Sequence, residues 1–278
     1  HRPPFPKALM SNSNPIAPPL PVVETIAKAV EFVWRGRNEF LTLAFPAVLV
    51  LSVLNTAFAR LLLPEGAAEL ASDAERLEQV MRAGILPLIL MIVPFCFFWT
   101  TFAIGWHRRY LLPKEMQSVG QILTWRTRHT RFLLYAAGLT LIVVAVLVVG
   151  ASIAAFAPVL LVLALAAAVV VYGRLSQVLP SAAIDHALTF GESWALTRGQ
   201  TSRLFAVIVA TWFPTAVIIA VLQEILALSL GNSQTLMALF VRAFVGNLMG
   251  YLGVAIGVSV LSLIYDHLRV GRSPSVDL

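Results

Sequence analysis

The chain has 278 residues, 59% of them hydrophobic and only 12% charged, with a net charge of +6. Its apolar residues fall in runs of about 20, the length of helix that crosses a hydrocarbon core of about 30 Å, and the polar stretches between them leave no room for a separate catalytic domain. The basic residues flank these runs, so the charge sets membrane orientation and does not mark a nucleic-acid partner, and the lone Cys96 excludes an internal disulfide.

In chain order, residues 1–20 are rich in Pro, Ser and Asn and read as an extended tail, in which Met10 would make an ordinary start and residues 1–9 are either foreign to the natural chain or an upstream extension of it. From Pro21 to Arg35, Val22, Val23, Ile26, Ala29, Val30 and Val33 recur at helical spacing while Glu24, Lys28, Glu31 and Arg35 take the other face. This predicts a short amphipathic helix lying on the membrane surface, anchored by Trp34. The first span is expected at about 40–63. An acidic segment with Glu65, Glu69, Asp73, Glu75 and Glu78 follows, read as a short helix outside the membrane. The second span, about 85–105, carries Pro87 and Pro94, which predict bends.

A basic hinge at 106–132 leads to spans three and four, about 132–154 and 156–172. A second hinge at 172–205 leads to span five, about 204–228. Span six runs about 236–265, and residues 271–278 form a tail. The expected fold is an all-α polytopic membrane protein with one domain at 21–270: six spans in three hairpins, with amphipathic interfacial helices on the cytoplasmic side. Segments 1–39, 106–131, 172–203 and 266–278 hold 16 of the 20 Lys and Arg. That distribution predicts that both termini and both hinges are cytoplasmic.

The hinges share a pattern. Each carries a capping box, Ser118-x-x-Gln121 and Thr189-x-x-Glu192, in which the hydroxyl accepts from an unpaired helix amide and the Gln or Glu returns the bond. Each then carries a Trp, Trp125 or Trp194, and a cluster of arginines. Arg108, Arg109, Arg126, Arg128, Arg131, Arg198 and Arg203, with the two Trp, fit two descriptions: an aromatic belt with a positive-inside bias, or a site for anionic lipid headgroups.

The run Arg174-Leu-x-x-x-Leu-Pro180, followed by Phe190-Gly-Glu-Ser-Trp-Ala-Leu-Thr-Arg-Gly199 and Arg203-Leu-Phe205, resembles the signature of the six-span membrane domain found in some glycerophosphodiester phosphodiesterases and in stand-alone bacterial inner-membrane proteins of the YciC type. The resemblance implies a bacterial cytoplasmic membrane protein with surface helices ahead of its odd-numbered spans. The phosphodiesterase barrel and its acidic metal site have no counterpart, so that activity is not implied.

Within the spans, Glu224 and Arg242 lie at similar depth on adjacent helices, and an ion pair between them is expected, because an isolated charge in hydrocarbon costs at least a few kcal/mol. Gly246, Gly250, Gly253 and Gly257 mark one face of span six as a close-packing seam, either against span one or five or against a second copy or partner protein. His107, His129 and His186 show no metal-ligand spacing, and no phosphate loop or nucleophile elbow is present. No metal, cofactor or catalytic residue is therefore expected. The reading is a non-enzymatic membrane protein associated with anionic lipids or with a membrane complex. The alternatives are a transporter or channel for a small or lipidic solute, and a lipid-modifying enzyme using the three histidines.

Overall fold

The computed structural model describes residues 18–62, 85–113, 115, 119–154, 157, 159–186, 188–230 and 235–270. Among these residues every regular element is a helix: α1 (Val22–Arg35), α2 (Arg37–Leu62), α3 (Ile85–Leu111), α4 (Val119–Leu123), α5 (Thr127–Ala154), α6 (Val159–Leu175), α7 (Val178–Ala183), α8 (Phe190–Leu196), α9 (Thr201–Leu230) and α10 (Leu236–Val270). Six stretches, 37–60, 89–111, 127–153, 159–183, 201–230 and 236–269, are long and apolar enough to cross a membrane. The chain is an all-α polytopic membrane protein. The acidic segment at 65–78, Ser118 of the first expected capping box and both tails up to residue 17 and from 271 lie outside the described residues.

The helices run past the expected span limits at the hinges, with α3 ending at Leu111 and not near 105, and α5 starting at Thr127 and not at 132. Continuing as helix keeps each backbone donor and acceptor paired as the chain leaves hydrocarbon. Basic residues in the last turns of α3 (Arg108, Arg109), α6 (Arg174) and α10 (His267, Arg269) also suit the negative end of the helix dipole. Pro46, Pro94 and Pro214 lie inside α2, α3 and α9. Pro87 falls in the first turn of α3, where its missing N–H leaves no helical bond unmade, so the bend expected there has no physical cause.

The last helix is the core of the bundle. Of the most apolar window of α10, 61% is buried, against 11% for α5. It packs against α1, α2, α3 and α9, and a helix enclosed on several sides has to be apolar around most of its circumference. A Cβ added at Gly246 would come within 2.6 Å of Gln223 Nε2, at Gly253 within 3.1 Å of Thr215 Cγ2, and at Gly257 within 2.9 Å of Trp212 Cζ2, whereas Gly250 meets nothing within 4 Å. Three of the four glycines thus receive α9, which takes the place of the homodimer or partner seam allowed by the sequence. Among the described residues no ion pair joins Glu224 to Arg242. Gln223 occupies the α9 position against Gly246, and the helical step of about 100° turns Glu224 off that line and leaves it exposed.

One short element departs from the expected surface helices. α7 lies at the end of the fourth span, and all six of its residues are buried among α3, α5 and α10. Its Val178, Leu179, Ala182 and Ala183 are small or apolar enough to enter the core, so the second hinge begins inside the bundle. α1 does behave as an interfacial helix. Thr25, Ala29 and Val33 are buried against the bundle, while Val23, Val30 and Trp34 remain exposed as a second apolar stripe. The i,i+4 pairs Glu24–Lys28 (2.6 Å) and Glu31–Arg35 (2.5 Å) hold the polar stripe.

Candidate functional site

The starts of α2, α5 and α9 and the ends of α3, α6 and α10 converge at one end of the bundle, the hinge end. Trp106, Arg108, Arg109 and His107 close α3 there. Trp106 Nε1 donates to Ser259 Oγ (2.9 Å), and Ser259 Oγ donates in turn to Ala255 O (2.7 Å). The neighbouring His107 has no exposure and bonds through Nδ1 to Ser262 Oγ (2.8 Å). The only proton of Ser262 is directed to Val258 O (2.8 Å), so Nδ1 of His107 carries the hydrogen and Nε2 is the unprotonated nitrogen. This histidine pins α3 to α10.

Arg108 is 6% exposed and organises the chain around it. Its Nη1 donates to Ala183 O (3.1 Å) and to Asp185 Oδ2 (3.2 Å), and its Nη2 pairs with Glu115 Oε2. Asp185 adopts φ 63°, a left-handed conformation uncommon for a non-glycine residue. That turn follows α7 and brings the carboxylate between Arg108 and Arg128, whose Nη1 lies 3.0 Å from the same oxygen. Arg109 pairs with Glu39 (2.9 Å) and lies over the rings of Phe32 and Trp106, 5.8 and 5.7 Å from their centroids. The three arginines are thus balanced by three carboxylates.

The second hinge is built differently. Arg174 stacks on Trp194 with its Cζ 3.6 Å from the ring centroid, and its Nη2 donates to Trp194 O (2.7 Å). The expected capping box of α8 is present: Thr189 Oγ1 accepts from Glu192 N (3.2 Å), and Glu192 Oε2 accepts from Thr189 N (2.7 Å). In the first hinge a bond of the same kind, at the start of α5 and not of α4, is made by a histidine. Arg126 N donates to His129 Nδ1 (3.0 Å) at the start of α5, a position where the side chain of a third-residue Glu or Gln would normally reach back. Across the second hinge, Gln200 Oε1 accepts from Leu20 N (3.2 Å), Gln200 Nε2 donates to Pro18 O (3.1 Å), and Arg203 donates to Leu20 O (3.1 Å). The segment ahead of α1 is therefore strapped to the start of α9.

These bonds sort the arginines proposed from the sequence to meet lipid. Arg128 and Arg203 have protein partners and serve the fold, and Arg108 and Arg109 are shared between protein partners and a cavity. Arg126, Arg131 and Arg198 are exposed. Trp125 is 40% and Trp194 42% exposed. Trp125 stacks on Phe97 with 5.7 Å between centroids and donates from Nε1 to Thr130 Oγ1 (3.0 Å), which fixes its ring at the edge of the bundle. The histidines do not converge. His107 and His129 are buried in separate bonds, and His186 lies beyond α7, where burial and the charge of Arg269 hold its imidazole below the ordinary range.

A cavity of about 340 Å³ opens between α1, α2, α3 and α4. Phe32, Leu43, Leu112 and Ile122 give it apolar walls, and Glu39, Arg108, Arg109 and Glu115 line it with charge. Sequence reasoning missed the three carboxylates of this end. Glu39 stands one residue before the expected first span, Asp185 lies in an irregular segment 77 positions from Arg108, and Glu115, seven positions from Arg108, lies in an irregular segment where no helical spacing pairs the two. A comparison of the chain with known protein families, curated proteins and solved structures gives no match.

Proposed function

We propose that the protein is a non-enzymatic component of the bacterial cytoplasmic membrane that associates with anionic lipids through the hinge end of its bundle, both termini facing the cytoplasm. The observation that carries this reading is the division of labour among the arginines. Arg128 and Arg203 are spent on protein contacts, while Arg126, Arg131 and Arg198 are exposed in the same two hinges as Trp125 and Trp194, whose rings suit the headgroup layer. Each exposed guanidinium near an anionic surface contributes about 1 kcal/mol of attraction. The glycine seam is filled by α9, which favours lipid over a partner helix as what the protein meets. The likeness of residues 174–205 to the YciC-type membrane domain supports the same compartment.

The test is the lipid that remains with the protein on mild extraction. The wild type is expected to carry phosphatidylglycerol and cardiolipin in excess of their share of the bulk membrane. The triple variant Arg126→Gln, Arg131→Gln, Arg198→Gln is expected to return to the bulk ratio with an unchanged melting temperature, since none of the three side chains is buried. An unchanged excess in the variant would reject the reading.

A further inference from the structure

The cavity between α1, α2, α3 and α4 does not use the exposed arginines, and its chemistry differs from theirs. Two guanidinium groups and two carboxylates line it, Arg108 and Arg109 against Glu39 and Glu115, so its net charge is zero. A purely anionic headgroup entering it would have to sit beside both carboxylates. A headgroup carrying both charges meets a partner for each.

We propose that this cavity is a binding site for a zwitterionic phospholipid with a primary ammonium headgroup, a phosphoethanolamine. The phosphate is held by Arg109 and Arg108 and the ammonium by Glu39 and Glu115, while the glycerol end and the first methylenes lie against Phe32, Leu43 and Ile122. Four observations support it. The volume of about 340 Å³ falls at the lower end of the range of about 300–1,000 Å³ usual for small-molecule sites, enough for a headgroup and not for two acyl chains. Among the described residues, Nε of Arg108, on a side chain 7% exposed, and Nε of Arg109 are buried with no hydrogen-bond partner, so the fold leaves a donor of each guanidinium unsatisfied. Arg109 is held over Phe32 and Trp106, which fixes its plane before any ligand arrives. Glu39 and Glu115 are half exposed, at 50% and 55%, so each carboxylate retains oxygen surface able to accept from an N–H.

The preference for a primary ammonium follows from donor chemistry. Carboxylates accept hydrogen bonds from –NH₃⁺, and a trimethylammonium has no N–H to give. Phosphatidylcholine with the same acyl chains is therefore the decisive comparison.

The experiment is native mass spectrometry of the purified full-length protein in a mild detergent, titrated separately with phosphatidylethanolamine, phosphatidylcholine and phosphatidylglycerol of matched chains. The first phosphatidylethanolamine is expected to bind about tenfold more tightly than the first phosphatidylcholine, the difference of about one charge-assisted hydrogen bond. Glu39→Gln with Glu115→Gln is expected to bring the two lipids level. Thr42 lines the cavity with an exposed side chain, so Thr42→Trp fills it without removing a charge; this variant is expected to weaken the first phosphatidylethanolamine about tenfold and to leave phosphatidylglycerol binding and the melting temperature unchanged. Equal binding of the two zwitterionic lipids by the wild type overturns the proposal. So does a Thr42→Trp variant that binds phosphatidylethanolamine as the wild type does, or one that loses phosphatidylglycerol instead. Loss of the anionic excess in the Arg126, Arg131, Arg198 variant reports on the other surface, so the two readings fail separately.

Discussion

Trp106→Ala is expected to lower the stability of the protein by about 4 kcal/mol, near the upper end of what removal of a buried aromatic costs. Trp106 has no exposure at all and stands where four helices meet. Its ring packs edge-on to Phe32 of α1 and Phe40 of α2, with centroids 5.5 and 6.1 Å away, and stacks on Phe102 of its own helix at 5.9 Å and 9°. Its Nε1 hydrogen bond reaches Ser259 on α10. Alanine would leave a cavity under α1 and leave the Ser259 hydroxyl without its incoming bond. Trp106→Phe keeps most of the volume and loses only the bond, so it is expected to cost about 1 kcal/mol. Thermal unfolding followed by a fluorophore that binds newly exposed thiols reads both, with Cys96 as the reporter; equal costs for Ala and Phe would show that the hydrogen bond, and not the packing, is what matters.

Arg108→Met is the second large effect, expected at about 3 kcal/mol, within the range for removing one partner of a buried ion pair. The buried guanidinium ties the end of α3 simultaneously to Ala183 O after α7, to Asp185 and to Glu115. Without it, Asp185 keeps Arg128, but its left-handed turn loses the contact on its other side. Asp185→Asn should cost less, about 1 kcal/mol, because the carboxylate is half exposed and solvent screens its charge. If the two residues act through one another, the double variant costs clearly less than the sum of the single ones. Strict additivity in thermal unfolding would reject the pairing as a source of stability.

Much of the fold was legible in the sequence. Runs of about 20 apolar residues have one solution in a bilayer, and the capping box at Thr189 and Glu192 is a local signal that tertiary packing did not override. What depends on the relative rotation of two helices was not legible. Glu224 and Arg242 lie at similar depth, yet the residue that faces α10 is Gln223, and a shift of one position moves a side chain by about 100° around the axis. α7 was read as polar surface because Tyr172, Arg174, Ser176 and Gln177 precede it, while its own small and apolar residues carried it into the core. The candidate site was the least legible part. Arginines near span ends look alike in a sequence, and only the folded chain separates Arg108, joined to a residue 77 positions away, from Arg126 at the surface. His129 escaped notice for a related reason: a histidine performs the reciprocal bond that the sequence pattern assigns to Glu or Gln.

In the proposed orientation the basic hinge end faces the cytoplasm, where its exposed arginines meet the inner leaflet. This orientation is tested most directly by thiol accessibility in a Cys96→Ser background, using Arg198→Cys at the hinge end and Ser229→Cys near the opposite end of α9, both at exposed positions. A membrane-impermeant maleimide is expected to label Arg198→Cys in inverted membrane vesicles but not in intact cells, and Ser229→Cys in intact cells but not in inverted vesicles. Labelling of Arg198→Cys in intact cells would contradict the orientation and the account of the lipid-facing end built on it.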